Sequence, residues 1–157
     1  MKPFQLIIGG RAVPGASTMP VINPATEEVV AQSPRADLAQ LNAAVAAAKA
    51  AFPAWRATPI DERRKRLLAF ADALEARSDE LAQLLTAEQG KPLAHAQGEM
   101  MGSVFFVRAL AGLELPVKVV GEDAGGRFLE HRTPLGVVAA ITPWNFPISL
   151  IVVKSIP

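Results

Sequence analysis

With 157 residues, 50% of them hydrophobic and 20% charged, the chain has the make-up of a soluble globular protein long enough to bury a sizeable core. Sixteen basic against fifteen acidic side chains leave a net charge of +1, which gives no electrostatic footprint for nucleic acid or an anionic membrane surface. The absence of cysteine excludes a disulfide framework and a thiolate metal site, and the two isolated histidines, His95 and His131, argue against a zinc cluster, so no metal is expected.

The opening residues lack the charged region, long apolar core and cleavage site of a secretory signal, since Leu6, Ile7 and Ile8 are followed directly by Gly9 and Gly10. A cytoplasmic address is therefore expected. Residues 4–8 and 11–13 predict two short strands around the Gly-Gly turn, ended by Pro14 and Gly15. Residues 19–24 and 27–32 predict a second extended pair around Asn23-Pro24-Ala25-Thr26, closed by Ser33 and Pro34.

From Asp37 the period becomes helical. Asp37 and Gln40 can form a capping box, and Leu38, Leu41, Val45, Ala48 and Phe52 recur on one face until Pro53 ends the pattern. A second helix is expected from Thr58, with Pro59 at its first position, Asp61 reaching back, and Ile60, Leu67, Phe70, Ala71 and Leu74 as the buried stripe. A third starts at Ser78, buries Leu81, Leu84 and Leu85, and stops at Gly90. A fourth runs from about Pro92 to Gly112 with Leu93, Met100, Val104, Phe105 and Leu110. The basic run from Arg63 to Arg66 lies within the second helix beside Asp61 and Glu62 and reads as a solvated face.

Residues 115–120 and 127–132 alternate partially about a glycine-bearing connection, which predicts a hairpin. Residues 137–141 then form an all-apolar run with β-branched ends, preceded by Gly136 and stopped by Pro143, and fit a strand buried on both faces of a parallel sheet. Pro147 suits the first turn of a following, mostly buried helix over residues 148–154. A strand that feeds a helix at its carboxyl end is the usual place for a cofactor in an open α/β sheet. The whole apolar stretch 137–153 does not suit a membrane span, because Pro143, Asn145 and Pro147 would break the helix in hydrocarbon.

Residues 134–147, Pro-Leu-Gly-Val-Val-Ala-Ala-Ile-Thr-Pro-Trp-Asn-Phe-Pro, resemble the signature turn of the NAD(P)-dependent aldehyde dehydrogenase superfamily. Ile22 through Val29, Trp55, and Glu88-Gln89-Gly90-Lys91-Pro92 fall in the order and approximate spacing of such enzymes, so the resemblance covers essentially the whole chain. It implies an α/β fold: the N-terminal part of a Rossmann-type cofactor domain, with short strands, four helices, an oligomerisation hairpin and the first buried parallel strand. Residues 1–115 would be the N-terminal strands and helices, 116–134 the oligomerisation hairpin, and 135–157 the first strand-turn-helix, cut inside a helix at Pro157.

Family members attack the aldehyde with a cysteine thiolate and carry a glutamate base and a Gly-rich cofactor turn further downstream. The chain thus resembles the first third of such an enzyme and is expected to be inactive alone. The full-length enzyme would take an aldehyde and NAD or NADP and form a homodimer or homotetramer, with no nucleic acid or membrane as partner. An alternative is a truncated, non-catalytic subunit that joins full-length chains through the hairpin.

From spacing alone Asn145 reads as a cap for the following helix, worth about 1 kcal/mol. The resemblance instead makes it the donor to the oxyanion formed when a thiolate adds to an aldehyde, an interaction worth about 2.7–4 kcal/mol in a comparable site. From composition alone Trp144 reads as core, whereas by the resemblance Ile141, Thr142, Pro143 and Trp144, with Asn145, match positions that line the cofactor cleft. Lys154 is a lone charge on an apolar helix that must reach solvent or a carboxylate, and its family counterpart assists proton movement. Phe146, Leu150 and Val153 match the aldehyde tunnel and offer it an apolar wall, and their pattern is equally consistent with core.

Overall fold

Gly9 and Gly10, at φ 59° and 76°, turn the chain between β1 (Leu6–Ile8) and β2 (Arg11–Val13), which pair antiparallel. These elements belong to a computed structural model that describes residues 4–156; residues 1–3 and Pro157, at the outer ends of the first and last expected segments, lie outside the described residues. β3 (Ser17–Ile22) and β4 (Val29–Arg35) form a second antiparallel ribbon with a bulge at Val21/Ile22. Its connection is tightened by the Asn23 side chain, which accepts from the Ala25 N–H at 2.9 Å. The ribbon runs past the expected stop at Ser33-Pro34, since Pro34 sits opposite Thr18 on a strand with only one neighbour and no ladder bond to lose on its free side.

The capping box forms as the sequence predicts. Asp37 accepts from the Gln40 N–H at 2.8 Å and opens α1 (Leu38–Ala57), while the Gln40 side chain accepts from the Asp37 and Ala16 amides and donates to the Pro14 carbonyl. Pro53 does not end this helix. Proline forfeits one bond, to the carbonyl four residues back, and the good helix formers Ala54, Arg56 and Ala57 carry the turn on until Thr58 closes it by donating to the Ala54 carbonyl at 3.0 Å. Thr58 therefore caps backwards rather than forwards. α2 (Ile60–Glu75) starts without a side-chain cap, and Asp61 pairs with Arg64 at 3.0 Å instead of reaching back. α3 (Ser78–Gln89) stops at Gly90, whose φ of 76° and close approach to Pro24, 2.8 Å from where a Cβ would stand, both call for glycine.

α4 (Leu93–Ala111) is the central element. Ala96, Glu99, Met100, Ser103, Val104, Val107 and Ala111 recur every three or four residues and are all buried. One half of this stripe meets Ala71 of α2 and Val152; the other meets Ala82 and Leu85 of α3. Leu93 and Phe105, expected in the stripe, lie off it, and Phe105 is 73% exposed on a face with Gly98, Met101 and Gly102. The apolar positions Leu38, Leu41 and Val45 of α1 are likewise exposed, since among the described residues the main packing partner of α1 is β1.

β5 (Lys118–Asp123) and β6 (Gly126–Glu130) make the expected hairpin, its turn set by Asp123 accepting from the Gly125 N–H at 2.8 Å. Residues 137–141 do not form the expected buried strand. Val138 is 62% and Ile141 82% exposed, and among the described residues no strand pairs with them; a parallel strand exists only through its neighbours' hydrogen bonds. α5 (Pro147–Ser155) follows, with Val152 fully buried against α2 and α4 and residues 148–150 half-buried, less than the mostly buried helix expected.

Candidate active site

The start of α5 is held by a side chain from another helix. Pro147 at the first helical position has no N–H; Ile148 and Ser149 donate theirs to one oxygen of Glu99 on α4, at 2.9 and 3.2 Å; Leu150 donates to the Phe146 carbonyl at 3.0 Å. Every amide of the first turn is thereby satisfied. The Glu99 side chain has no exposed surface, and its negative charge lies at the positive end of the α5 dipole.

The second Glu99 oxygen takes a charge-assisted hydrogen bond from Lys91, whose side chain is 12% exposed. The same ammonium donates to the Asn145 carbonyl at 2.7 Å and lies 4.2 Å from the centre of the Phe146 ring, within cation–π range. Ser103 donates to the Glu99 carbonyl at 2.8 Å, and its hydroxyl lies 3.1 Å from that of Ser149. Residues 145–149 are thus tied to Lys91, just before α4, on one side of the turn and to Glu99 and Ser103 of α4 on the other.

The upstream end is tied as well. Lys154, exposed on α5, donates to the Ile141 carbonyl, so its ammonium meets a backbone dipole rather than the carboxylate that burial would require. Asn145 is exposed, and its side-chain amide takes no part in holding α5, where Phe146 stands at the cap position without a side-chain bond. Ile141 and Pro143 are exposed, Trp144 is 80% exposed and so not core, and Thr142 is half-buried. Phe146, Leu150 and Val153 follow at helical spacing, Phe146 and Val153 exposed and Leu150 half-buried.

Sequence reasoning missed Lys91, Glu99 and Ser103. A signal existed for Glu99: it is a lone carboxylate between Ala96 and Ser103 on the buried stripe of α4, and a buried charge requires partners. A cavity of about 240 Å³ lies elsewhere, between the β3–β4 ribbon and α3, with Val21, Pro34, Leu84 and Glu88 in its wall. Among the described residues no group of three or more His, Asp or Glu side chains could hold a metal ion, and no helix is long and apolar enough to cross a membrane.

Over residues 12–157 the sequence matches the aldehyde dehydrogenase family. The chain belongs to that family. A probable aldehyde dehydrogenase from Pseudomonas sp. is 48% identical over 152 residues, which cover 96% of this chain and 31% of that protein. The NADP-dependent glyceraldehyde-3-phosphate dehydrogenase of Bacillus halodurans, solved with NADP, superposes with a TM-score of 0.93 at 30% identity, covering 99% of this chain and 35% of that one. PnpE from Pseudomonas sp. WBC-3, solved with nicotinamide adenine dinucleotide, gives a TM-score of 0.90 at 37% identity over 98% of this chain and 32% of that one. The chain spans about a third of the length of the aldehyde dehydrogenases it matches. Its helices and antiparallel strand pairs are the mixed α/β architecture of the N-terminal part of such structures.

Proposed function

We propose that this chain supplies the N-terminal part of an NAD(P)-dependent enzyme that oxidises an aldehyde to a carboxylate. The observation that carries the reading is the Asn145 turn: its backbone is pinned by Lys91, Glu99 and Lys154 while its amide side chain is left exposed and outward of the helix cap. A donor preorganised by its backbone costs no reorganisation when an oxyanion develops beside it. Asn145 is the residue that would donate to the aldehyde oxygen as the carbonyl carbon becomes tetrahedral. The thiolate and the general-base carboxylate come from outside these residues, which contain no cysteine.

Ile141, Thr142, Pro143, Trp144 and Asn145 would hold the dinucleotide; the adjoining exposed apolar surfaces of Ile141, Pro143 and Trp144 fit flat rings. NAD or NADP supplies the hydride acceptor when bound. Phe146, Leu150 and Val153 present an apolar wall to the aldehyde. Lys154, already bonded to the Ile141 carbonyl, fixes the spacing between the cofactor-facing residues and α5, and would support proton movement. In this reading residues 1–115 are the strands and helices that carry the site, 116–134 the hairpin through which full-length chains form a dimer or tetramer, and 135–157 a turn and helix whose leading segment, 137–141, would become a strand only beside neighbours from the rest of the enzyme, which would be cytoplasmic. In the full-length enzyme Asn145→Ala should lower turnover by roughly 10²–10³-fold; unchanged turnover overturns the assignment. The isolated chain should produce no NADH from aldehyde and NAD.

A second reading, a non-catalytic subunit that docks on full-length chains, draws on the β5–β6 hairpin, whose two strands, among the described residues, pair with each other alone and leave open edges. Co-purification with a full-length dehydrogenase, lost when residues 116–134 are deleted, tests it.

A further inference from the structure

We infer that Lys91 and Glu99 are positioning residues for Asn145, an inference that rests on Asn145 being the oxyanion donor. Neither side chain faces the open side of the turn: Glu99 is fully buried and Lys91 nearly so. Both contact the backbone that carries Asn145, from opposite ends. Lys91 grips the Asn145 carbonyl at 2.7 Å, and Glu99 grips the amides of Ile148 and Ser149, three and four residues on. Because the two side chains are themselves hydrogen-bonded to each other, they act as one clamp.

The geometry distinguishes this from a simple ion pair. An ion pair needs only its two charges, whereas here the carboxylate accepts from Lys91, Ile148 and Ser149 while the ammonium also donates to the Asn145 carbonyl, and every backbone partner lies within four residues of Asn145. Pro147 has no amide and Leu150 donates to the Phe146 carbonyl, so no other amide in the first turn of α5 competes for Glu99. Catalytic amides must stand within about 0.5 Å of the productive position, and misplacement by about 1 Å costs up to about 10²-fold in rate. With the exposed Asn145 side chain bonded to no other group among the described residues, the position of its Cα is what the clamp controls.

The test is a double-mutant cycle in the full-length polypeptide that carries this sequence, with Asn145→Ala, Glu99→Gln and the pair, read as kcat and as KM for the aldehyde. Glu99→Gln should lower kcat roughly 10–100-fold with little change in KM, and should add less than about threefold to the loss already caused by Asn145→Ala. Equal penalties in both backgrounds overturn the inference and leave the oxyanion reading standing; full turnover by Asn145→Ala overturns both. Should Glu99→Gln fail to fold, Lys91→Met takes its place in the cycle. Amide hydrogen exchange supplies a readout independent of activity: in either variant it should quicken at Ile148 and Ser149 while Val104 and Val107 stay protected. Uniform quickening throughout α4 and α5 marks a merely structural role and overturns the inference.

Discussion

Lys91→Met places a neutral side chain of similar length where the ammonium stood and leaves the Glu99 carboxylate, with no exposed surface, facing two backbone N–H groups and no cation. Removing one partner of a buried pair costs about 3–5 kcal/mol, because the remaining charge stays desolvated. The two amide bonds survive, and the 12% exposure of Lys91 lets water approach, so the lower end applies: about 3 kcal/mol. Against a total stability of about 5–15 kcal/mol that is a large fraction. Adding Glu99→Gln removes the buried charge and leaves a neutral carbonyl oxygen as a weaker acceptor for Ile148 and Ser149, so the double variant should recover at least about 1 kcal/mol relative to Lys91→Met. Equilibrium urea titration of the refolded chain at low micromolar concentration, followed by far-ultraviolet circular dichroism, measures all four states. A Lys91→Met variant within about 1 kcal/mol of the parent would falsify the buried-charge argument.

Met100→Ala, which empties a fully buried site between α3 and α4, should cost about 2–5 kcal/mol in the same titration. Gly90→Ala should cost about 1–2 kcal/mol, from the left-handed backbone and the clash with Pro24, and a neutral result would show that the loop moves freely. Asp37→Ala should cost about 0.5–2 kcal/mol by opening the capping box, with Asp37→Ser retaining most of it. The paired Arg77 guanidinium, through its hydrogen bonds and then its charge, holds the Glu80 carboxyl below the usual carboxylate range. The sign is then fixed: its stabilisation is present above the unfolded carboxylate's titration and fades as pH falls through the lower folded value. Being fully exposed the pair is weak, so Glu80→Gln should remove a small acid-side slope of the unfolding midpoint that vanishes in high salt.

Local features of the fold were legible because their partners are close in sequence. Asp37 and Gln40 are three residues apart, Gly90 stops its own helix, and the β5–β6 hairpin turns on Asp123 and Gly125. Pro53 misled because a proline weighs as a breaker in a pattern, while in the structure it forfeits one bond and the alanines beyond it hold. The strand over 137–141 misled differently: an apolar run states what surface it would cover, yet pairing is a property of the neighbour, and none lies beside it among the described residues. At the site, the turn's own residues were visible as a motif. Glu99 and Lys91 were not, since what they hold lies 49 to 54 positions along the chain.

That the cap of α5 comes from α4 also dictates an order of events. A helix of nine residues is too short to persist alone, and the carboxylate that satisfies its first turn exists at the right place only once α4 has formed and buried its own stripe. α5 therefore docks late and undocks early. Substitutions at Glu99 should leave the folding rate nearly untouched and quicken unfolding, so that the Asn145 turn is the first part of the assembly to open when the protein is stressed.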